Sequence, residues 1–400
     1  NPARIDSHCP RTCVHALMTP AAVGAKAAVE NRIRRCERTL LRLSHRIHAN
    51  PELGFEEYRA SEWVADELRS GGFEVQRGCY DLPTAVRATI GSGPVHVGIC
   101  AEYDALPEIG HACGHNIIAA AGVGAALGLA DFVDDLGLTV TLLGTPAEEG
   151  GGGKILLLER GAFDGLHAAM MVHPAAVEMA AMPGTAVSQF EVTYTGKPAH
   201  AGAYPDLGVN AADAILIAQV AIGQLRQQTR GTDRIQGIVT DAGTAVNVIP
   251  DSAAGRWIVR SDTAEALATL TARVKRCFEA GALATGCAMS ITPSGPDYAD
   301  LRPDATLLAL YRANAEALGR SFPDLPDGMS GAATDMGNVS HAVPTIHPML
   351  GLDCDPAVNH QPEFAAACVG PAADRAILDG AIAMAWTAAD FAEQHLAIPH

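Results

Sequence analysis

The sequence predicts an α/β fold with a second, smaller unit inserted into it. Short apolar runs alternate with helix-like stretches through the first part of the chain. Between residues 188 and 295 the order changes to βαββαβ, and the first pattern then resumes. Taking the elements in order, apolar residues recur at helical spacing between Ala25 and Ile47 (Val29, Ile33, Leu40, Leu43, Ile47), and Asn50-Pro51 stops the pattern. A second helix is expected over Ala60 to Leu68, ended by Gly71-Gly72, followed by a strand over Phe73 to Gln76. Runs rich in Val, Ile and Leu at Val95 to Cys100, Leu138 to Leu143 and Ala168 to Val172 read as strands, with a helix over Ile117 to Ala130 between the first two. Such alternation indicates a mostly parallel sheet with both faces covered.

The middle segment reads as strand Phe190 to Tyr194, helix Asn210 to Gln228, strands Arg234 to Thr240 and Gly255 to Arg260, helix Thr263 to Ala280 and strand Ala288 to Thr292. This is the order of a ferredoxin-like sandwich, complete enough to be an inserted domain. A helix over Ala305 to Leu318, a strand-like Thr345 to Met349 and a last helix over Ala372 to His395 follow. The expected division is a poorly ordered leader over 1–20, a first domain split into 21–187 and 296–400, and the inserted unit over 188–295.

A chain of 400 residues can bury two cores. A net charge of -17, with no Lys/Arg cluster found to override it, argues against nucleic acid and anionic lipid as partners. No apolar run reaches the roughly 20 residues of a membrane span and no signal pattern opens the chain, so a cytoplasmic location is expected. Ten scattered cysteines favour free thiols in a reducing compartment. Cys9 and Cys13 with His8 and His15 lack the second half of a zinc clip.

The chemistry concentrates just past the predicted strands, where α/β sheets bind ligands. After Val95 to Cys100 come Glu102, Asp104 and the segment His111-Ala112-Cys113-Gly114-His115-Asn116. The single Gly lets a thiolate and an imidazole converge on a metal, although a buried Cys beside a helix-capping His would leave the same trace. After Leu138 to Leu143 come Glu148 and Glu149. Adjacent carboxylates either face water or meet something positive, and neighbouring side chains diverge, so one can bind metal while the other shuttles protons. Gly150 to Gly153 with Lys154 fails as a phosphate loop, because the required Gly falls at Glu148 and the Ser/Thr position is Ile155. His173 ends the next run, and His360 lies in a late loop. A thiolate, a carboxylate and three imidazoles suit Zn, Mn, Co or Ni rather than Mg or Ca.

With these segments in view, the chain resembles the M20 family of amidohydrolases and peptidases. The nearest branch contains aminobenzoyl-glutamate hydrolase subunits and the mammalian β-alanyl-lysine type dipeptidase. The match runs through His48 to Gly54, the Asp104 and Cys113 region, Pro146 to Glu149, Gly243 to Asp251 (GTAVNVIPD), Thr334 to His341 (TDMGNVSH) and the His360 segment. The resemblance implies a zinc-peptidase-like catalytic domain with a mostly parallel mixed sheet, and an inserted lid that pairs with its counterpart in a homodimer. It implies Cys113, His115, Glu149, His173 and His360 as ligands of two divalent ions, Zn or Mn foremost. Glu148 would be the general base or acid and Asp104 a residue steadying the site. His200 would stabilise the oxyanion, from this subunit or its neighbour, and Asn247 would orient the substrate. Arg260 would bind a carboxylate, with Arg256 on the same strand face competing for that role. Two departures stand out: Glu102 occupies a place where many relatives have a ligand His, and Asn116 follows the ligand His where many have Asp.

The expected reaction is hydrolysis of an amide or peptide bond in a small carboxylate-bearing compound: a dipeptide, an N-acyl amino acid or an aminobenzoyl-glutamate-like molecule. A hydroxide shared by the two ions would attack the carbonyl. Two other classes remain open at this level. One is a non-catalytic metal or ligand-binding protein on the same scaffold. The other is a hydrolase using Cys113 as nucleophile with His111 or His115, which would not need metal.

Overall fold

The computed structural model describes residues 20–323 and 332–397. The leader up to residue 19, with Cys9, Cys13, His8 and His15, lies outside the described residues. The chain opens with helices α1 (Pro20–His48) and α2 (Tyr58–Ser70) and strands β1 (Glu74–Arg77), β2 (Val86–Ile90) and β3 (Val95–Ala101). Next come α3 (His115–Ala130), β4 (Leu138–Gly144), α4 (Gly153–Glu159), β5 (Ala168–Met170) and β6 (His173–Ala175). The middle holds β7 (Ala186–Thr195), α5 (Ala211–Leu225), β8 (Arg234–Asp241), β9 (Ser252–Ser261), α6 (Ala264–Thr285) and β10 (Ala288–Pro293). The last quarter adds α7 (Ala305–Ala317), α8 (Met336–Ser340), β11 (Thr345–Ile346), β12 (Met349–Gly351), α9 (Pro362–Ala367) and α10 (Pro371–Leu396).

The main sheet has six strands in the order β1-β2-β4-β3-β5-β11. Its β4, β3, β5 and β11 run parallel, whereas β1 and β2 are antiparallel additions, so the sheet is mixed. Side chains alternate between its faces. Val97, Ile99, Val140, Leu142, Ala168 and Met170 join α1, α2, α3, α7 and α10 in one core, while Cys100, Leu143, Ala169 and Met171 join α4 and α8 in another. Every residue of α3 is buried, as a helix that is apolar all round must be. It lies between α1 and α10 closely enough that a Cβ on Gly124 would come within 2.8 Å of both Leu40 and Ala381.

The middle segment forms its own antiparallel sheet, ordered β10-β7-β9-β8, so its four strands run 4-1-3-2 by their own count. A separate core of Phe190, Val192, Tyr194, Trp257, Val259, Ile215, Ala218, Val274 and Phe278 fills the space between this sheet and α5 and α6.

Three expectations need amendment. The strand β2 is absent from the sequence pattern: Val86 to Ile90 offers only two β-branched apolar residues, and pairing with β4 on one side and β1 on the other supplies the rest. The runs at 168–172 and 345–349 are each broken in two. Both leave the main sheet after two or three residues and pair again as the parallel β6 and β12. Finally, α1 carries a basic cluster where none was expected: Arg32, Arg34, Arg35, Arg38, Arg42 and Arg46, spaced by helical turns rather than as a run. Acids answer part of it, with Asp131 3.0 Å from Arg32, Glu30 2.7 Å from Arg34 and Glu67 3.5 Å from Arg42. No helix among the described residues is long and apolar enough to cross a membrane.

The packing of α3 gives a direct test. Gly124→Val is expected to lower unfolding free energy by about 1–3 kcal/mol through overpacking, whereas Gly223→Val on α5, where a Cβ meets nothing within 4 Å, should change it little. Urea unfolding of both variants would check this.

Candidate metal centre

The carboxyl ends of the parallel strands bring the predicted donors together. Asp104 stands three residues beyond β3, and the loop from there reaches Cys113 before α3 begins at His115. Between them Gly114 takes a left-handed φ of 73°, and a Cβ there would lie 2.4 Å from Pro174. Only glycine fits this turn. Glu148 and Glu149 follow β4, and His173 opens β6. His360 comes from the late loop before α9, with a φ of 68°, and its N–H donates to the Ala112 carbonyl at 2.9 Å. That bond fixes the late loop to the Cys113 turn.

Two donor groups result, each with ligand atoms within 4.8 Å of one another: Cys113, His115 and His173, and Cys113, Glu149 and His360. They share the Cys113 sulfur. A third group of the same compactness holds Glu102, His115 and Glu148. The adjacent glutamates therefore part company, Glu149 toward His360 and Glu148 toward Glu102.

Asp104 orients both sides of this arrangement. One carboxylate oxygen lies 2.9 Å from His115 Nδ1 and the other accepts the Glu149 backbone N–H at 3.0 Å. Occupying Nδ1 leaves His115 Nε2 facing the donor groups. Burial opposes a charged His115, yet Asp104, with help from Cys113 and Glu102, outweighs it and holds the imidazole well above its usual range. The acidic loop is gripped at three consecutive residues. Ala147, at φ 55°, donates its N–H to Glu57 at 2.8 Å, the Glu148 carbonyl accepts from Tyr298 at 2.7 Å, and Glu149 donates to Asp104.

Beneath the site Lys154 is fully buried, its ammonium 2.5 Å from Glu102 and 2.7 Å from Asp335. Its backbone N–H also donates to Asp335, at 2.9 Å. Burial works against an ionised Glu102, but Lys154 more than offsets it and the carboxyl is held below its usual range. Glu148 goes the other way. Burial, then the charges of Glu102, Glu149 and Asp335, push it well above the carboxylate range.

The residues fit a divalent cation. His115 Nε2, Glu149 Oε1 and Glu102 Oε2 are buried without a hydrogen-bond partner, an arrangement that costs free energy unless something positive meets them. Sulfur, nitrogen and oxygen donors in this mixture suit a borderline-soft ion. Burial also drives the Cys113 thiol well above its usual range, the opposite of what a free nucleophilic cysteine needs.

The remaining predicted residues lie on the middle unit, away from these groups. His200 is exposed, and its Nδ1 accepts the N–H groups of Gly202 and Ala203 at 3.2 and 3.1 Å. Asn247 is exposed, its carbonyl accepting the Ala201 N–H at 2.9 Å. Arg256 pairs with Glu191 at 3.4 Å, whereas half-buried Arg260 has no hydrogen-bond or ionic partner among the described residues. Sequence reasoning missed Glu57, Tyr298, Lys154 and Asp335 as functional residues, although Asp335 lies within the quoted TDMGNVSH segment. It also missed His347, which is buried beside His173, the ring centroids 5.3 Å apart. Burial lowers its imidazole to about 4 and that of His173 to about 3.

Residues 98–376 match the family described as Peptidase family M20/M25/M40. The Xaa-Arg dipeptidase of Mus musculus is 39% identical over 398 residues, covering 93% of this chain and 92% of its own. A p-aminobenzoyl-glutamate hydrolase component of Escherichia coli K12 is 31% identical over 61% of this chain and 55% of its own. Among solved structures, the Bacillus subtilis YXEP protein, described as a dinuclear metal binding peptidase from the M20 family, aligns with a TM-score of 0.69 at 23% identity. The alignment covers 90% of this chain and 99% of that one.

Glu57 supplies a pH test of the loop grip. Burial, opposed by Thr84 and reinforced by the Asp104 charge, raises its carboxyl from 4.5 to about 7. The folded protein thus holds a proton that the unfolded chain releases. The associated stability is complete below the unfolded value and is lost as pH rises through about 7. Glu57→Gln keeps an acceptor oxygen without the charge. In metal-free protein it should match wild type near pH 5 and exceed it at pH 8 by about 1–3 kcal/mol. Equal pH slopes in urea unfolding would contradict the assignment.

Proposed function

The chain belongs to peptidase family M20/M25/M40 and is a metal-dependent amidohydrolase, and from that premise we propose that it hydrolyses the peptide bond of small dipeptides bearing a free carboxylate. The observation that carries this reading is the pair of donor groups sharing Cys113, with Glu148 set against them in a third. Two divalent ions, Zn or Mn before Co or Ni, would be held by Cys113, His115 and His173 and by Cys113, Glu149 and His360. When bound, such ions supply Lewis-acid polarisation of an amide carbonyl and lower the pKa of water.

The chain's own groups do the rest. Glu148 takes a proton from the attacking water and delivers it to the departing amine. Burial and the neighbouring carboxylates raise its proton affinity, the direction in which a carboxylate becomes a stronger base. Asp104 keeps His115 and Glu149 aimed. His200, with Nδ1 engaged by two backbone N–H groups, carries its proton on Nε2 when neutral and can donate it to an oxyanion. His200 and Asn247 move as one piece, because His200 bridges to Val248 and Ala201 bonds Asn247. Arg260, unlike Arg256, is free among the described residues to receive a substrate carboxylate.

In this reading residues 21–187 and 296–400 form the catalytic domain and 188–295 a ferredoxin-like lid. Lid closure brings His200 to the site, from the same subunit or its partner. The lid exposes apolar side chains on one edge: Ile238 and Val239 on the outer strand β8 and Leu216 and Val220 one turn apart on α5. Pairing of two lids across β8 in a homodimer would cover them. Free thiols at the eight described cysteines support a reducing, cytoplasmic setting. The likeness to a dipeptidase over most of both chains supports dipeptides, Xaa-Arg among them, ahead of N-acyl amino acids and aminobenzoyl-glutamate as substrates.

A hydrolysis screen of metal-loaded protein over these three groups tests the substrate class. Chelation should abolish turnover. Glu148→Gln should lower kcat by about 10²-fold or more with metal content unchanged, and His200→Ala should lower kcat by a similar factor. Full activity of Glu148→Gln would overturn the proton assignment, and activity surviving chelation would restore the cysteine-nucleophile alternative.

A further inference from the structure

Two neighbouring parallel strands end in the same dipeptide. His173-Pro174 follows β5 and His347-Pro348 follows β11, in a register that sets Met170 opposite Ile346. The pairing continues past both strands: Met171 N–H donates to the Ile346 carbonyl at 3.3 Å and His173 N–H to the Pro348 carbonyl at 2.9 Å. The register therefore lays the two imidazoles side by side, 5.3 Å apart and inclined by 32°. His173 belongs to a donor group. His347 takes no part in either ion seat as proposed above.

His347 is 2% exposed, and neither ring nitrogen has a hydrogen-bond partner. A buried nitrogen left unpaired costs free energy relative to a paired one. A leucine or phenylalanine would fill the same space without that cost. Glu102 Oε2 and His115 Nε2, 3.4 Å from each other, are likewise buried and unpaired. His347 is outside that group's compact set of ligand atoms, so it acts through its neighbours.

We infer that His347 is a positioning residue for the ion seat formed by Cys113, His115 and His173. Its ring backs the His173 ring, which is anchored on its far side by Nδ1 against the Pro174 carbonyl at 2.8 Å. A polar ring packed at this distance limits the orientations open to the His173 imidazole, and outer groups that orient metal-binding imidazoles raise the affinity of the seat. The inference rests on the two-ion reading above.

The test uses His347→Phe, which keeps a ring and removes the nitrogens, and His347→Asn, which keeps polarity and shortens the side chain. Chelator competition with Zn²⁺ or Mn²⁺ gives stoichiometry and affinity for wild type and variants, and melting curves compare metal-free with loaded protein. Wild type should bind two ions. His347→Phe should melt near wild type when metal-free, bind one ion about 10–100-fold more weakly, and gain less in Tm on loading. His347→Asn should fall between and decides the matter should the Phe variant fail to fold. Two ions bound at wild-type affinity by both variants would overturn the inference while leaving the two-ion reading intact. So would an equal loss of Tm with and without metal, the mark of a merely structural ring. Fewer than two ions in wild type would instead overturn the two-ion reading itself.

Discussion

One ammonium group makes the acidic end of the main sheet foldable. Lys154 is the only lysine or arginine fully buried among the described residues, and it lies between Glu102 from the loop after β3 and Asp335 from the segment before α8. Four carboxyls at this end, Glu102, Asp104, Glu148 and Asp335, are buried with it. Buried charges repay their desolvation only with close partners and good geometry. Lys154 provides that for two of them, and His115 with the Glu149 N–H provides it for Asp104. Glu148 has a more distant cationic neighbour, His115 Nε2 at 3.9 Å, and burial with the neighbouring carboxylates raises its proton affinity. The Lys154 side chain also ties the stretch before the middle unit to the stretch after it.

The acidic loop shows how local geometry serves this arrangement. Consecutive residues on an extended chain point apart, and here Ala147 in the left-handed region turns the chain so that Glu148 and Glu149 enter different donor groups. Such a conformation in alanine costs about 1 kcal/mol or more. Three hydrogen bonds from separate parts of the molecule hold it. Glu57 precedes α2, Asp104 follows β3 and Tyr298 follows β10. Tyr298 lies beyond β10 and bridges back to Val187 of β7, so the grip on the loop draws on both ends of the middle unit.

Much of this was legible in the sequence because donor residues sit directly after apolar strands, and strand ends are visible as the close of a Val/Ile/Leu run. Cys113, His115, Glu149, His173 and His360 were all reachable by that rule or by family likeness. The rule failed where the pattern carried a competing meaning. Lys154 sat behind a glycine run that invited comparison with a phosphate loop, and once that failed nothing local pointed to a buried ammonium. His347 was absorbed into a strand-like run that in fact breaks at His347-Pro348. Its likeness to His173-Pro174 was available in the letters, yet only the register of β5 and β11 shows that the two face each other. The arginines of α1 were missed for the converse reason, since helical spacing hides a cluster that no contiguous run displays. Exposure of His200 and Asn247 could not be read at all, because it depends on where an entire unit packs.

The middle unit, β7 to β10, also sets an order of events. Cys113 and His360, which share a donor group, are 247 positions apart, and the middle unit, with a core of its own, lies between them. During synthesis at about 5–20 residues per second, α1 through β6 emerge well before β11, β12 and the late loop that close the site. The middle unit can complete its local sheet in that interval, while the first half waits with Glu102 and Lys154 lacking Asp335. Contacts of such long range slow folding and leave partly built surfaces exposed. The bridge from Lys154 to Asp335 is thus also a late closure step in assembly, one that a nascent chain cannot take until Asp335 has left the ribosome.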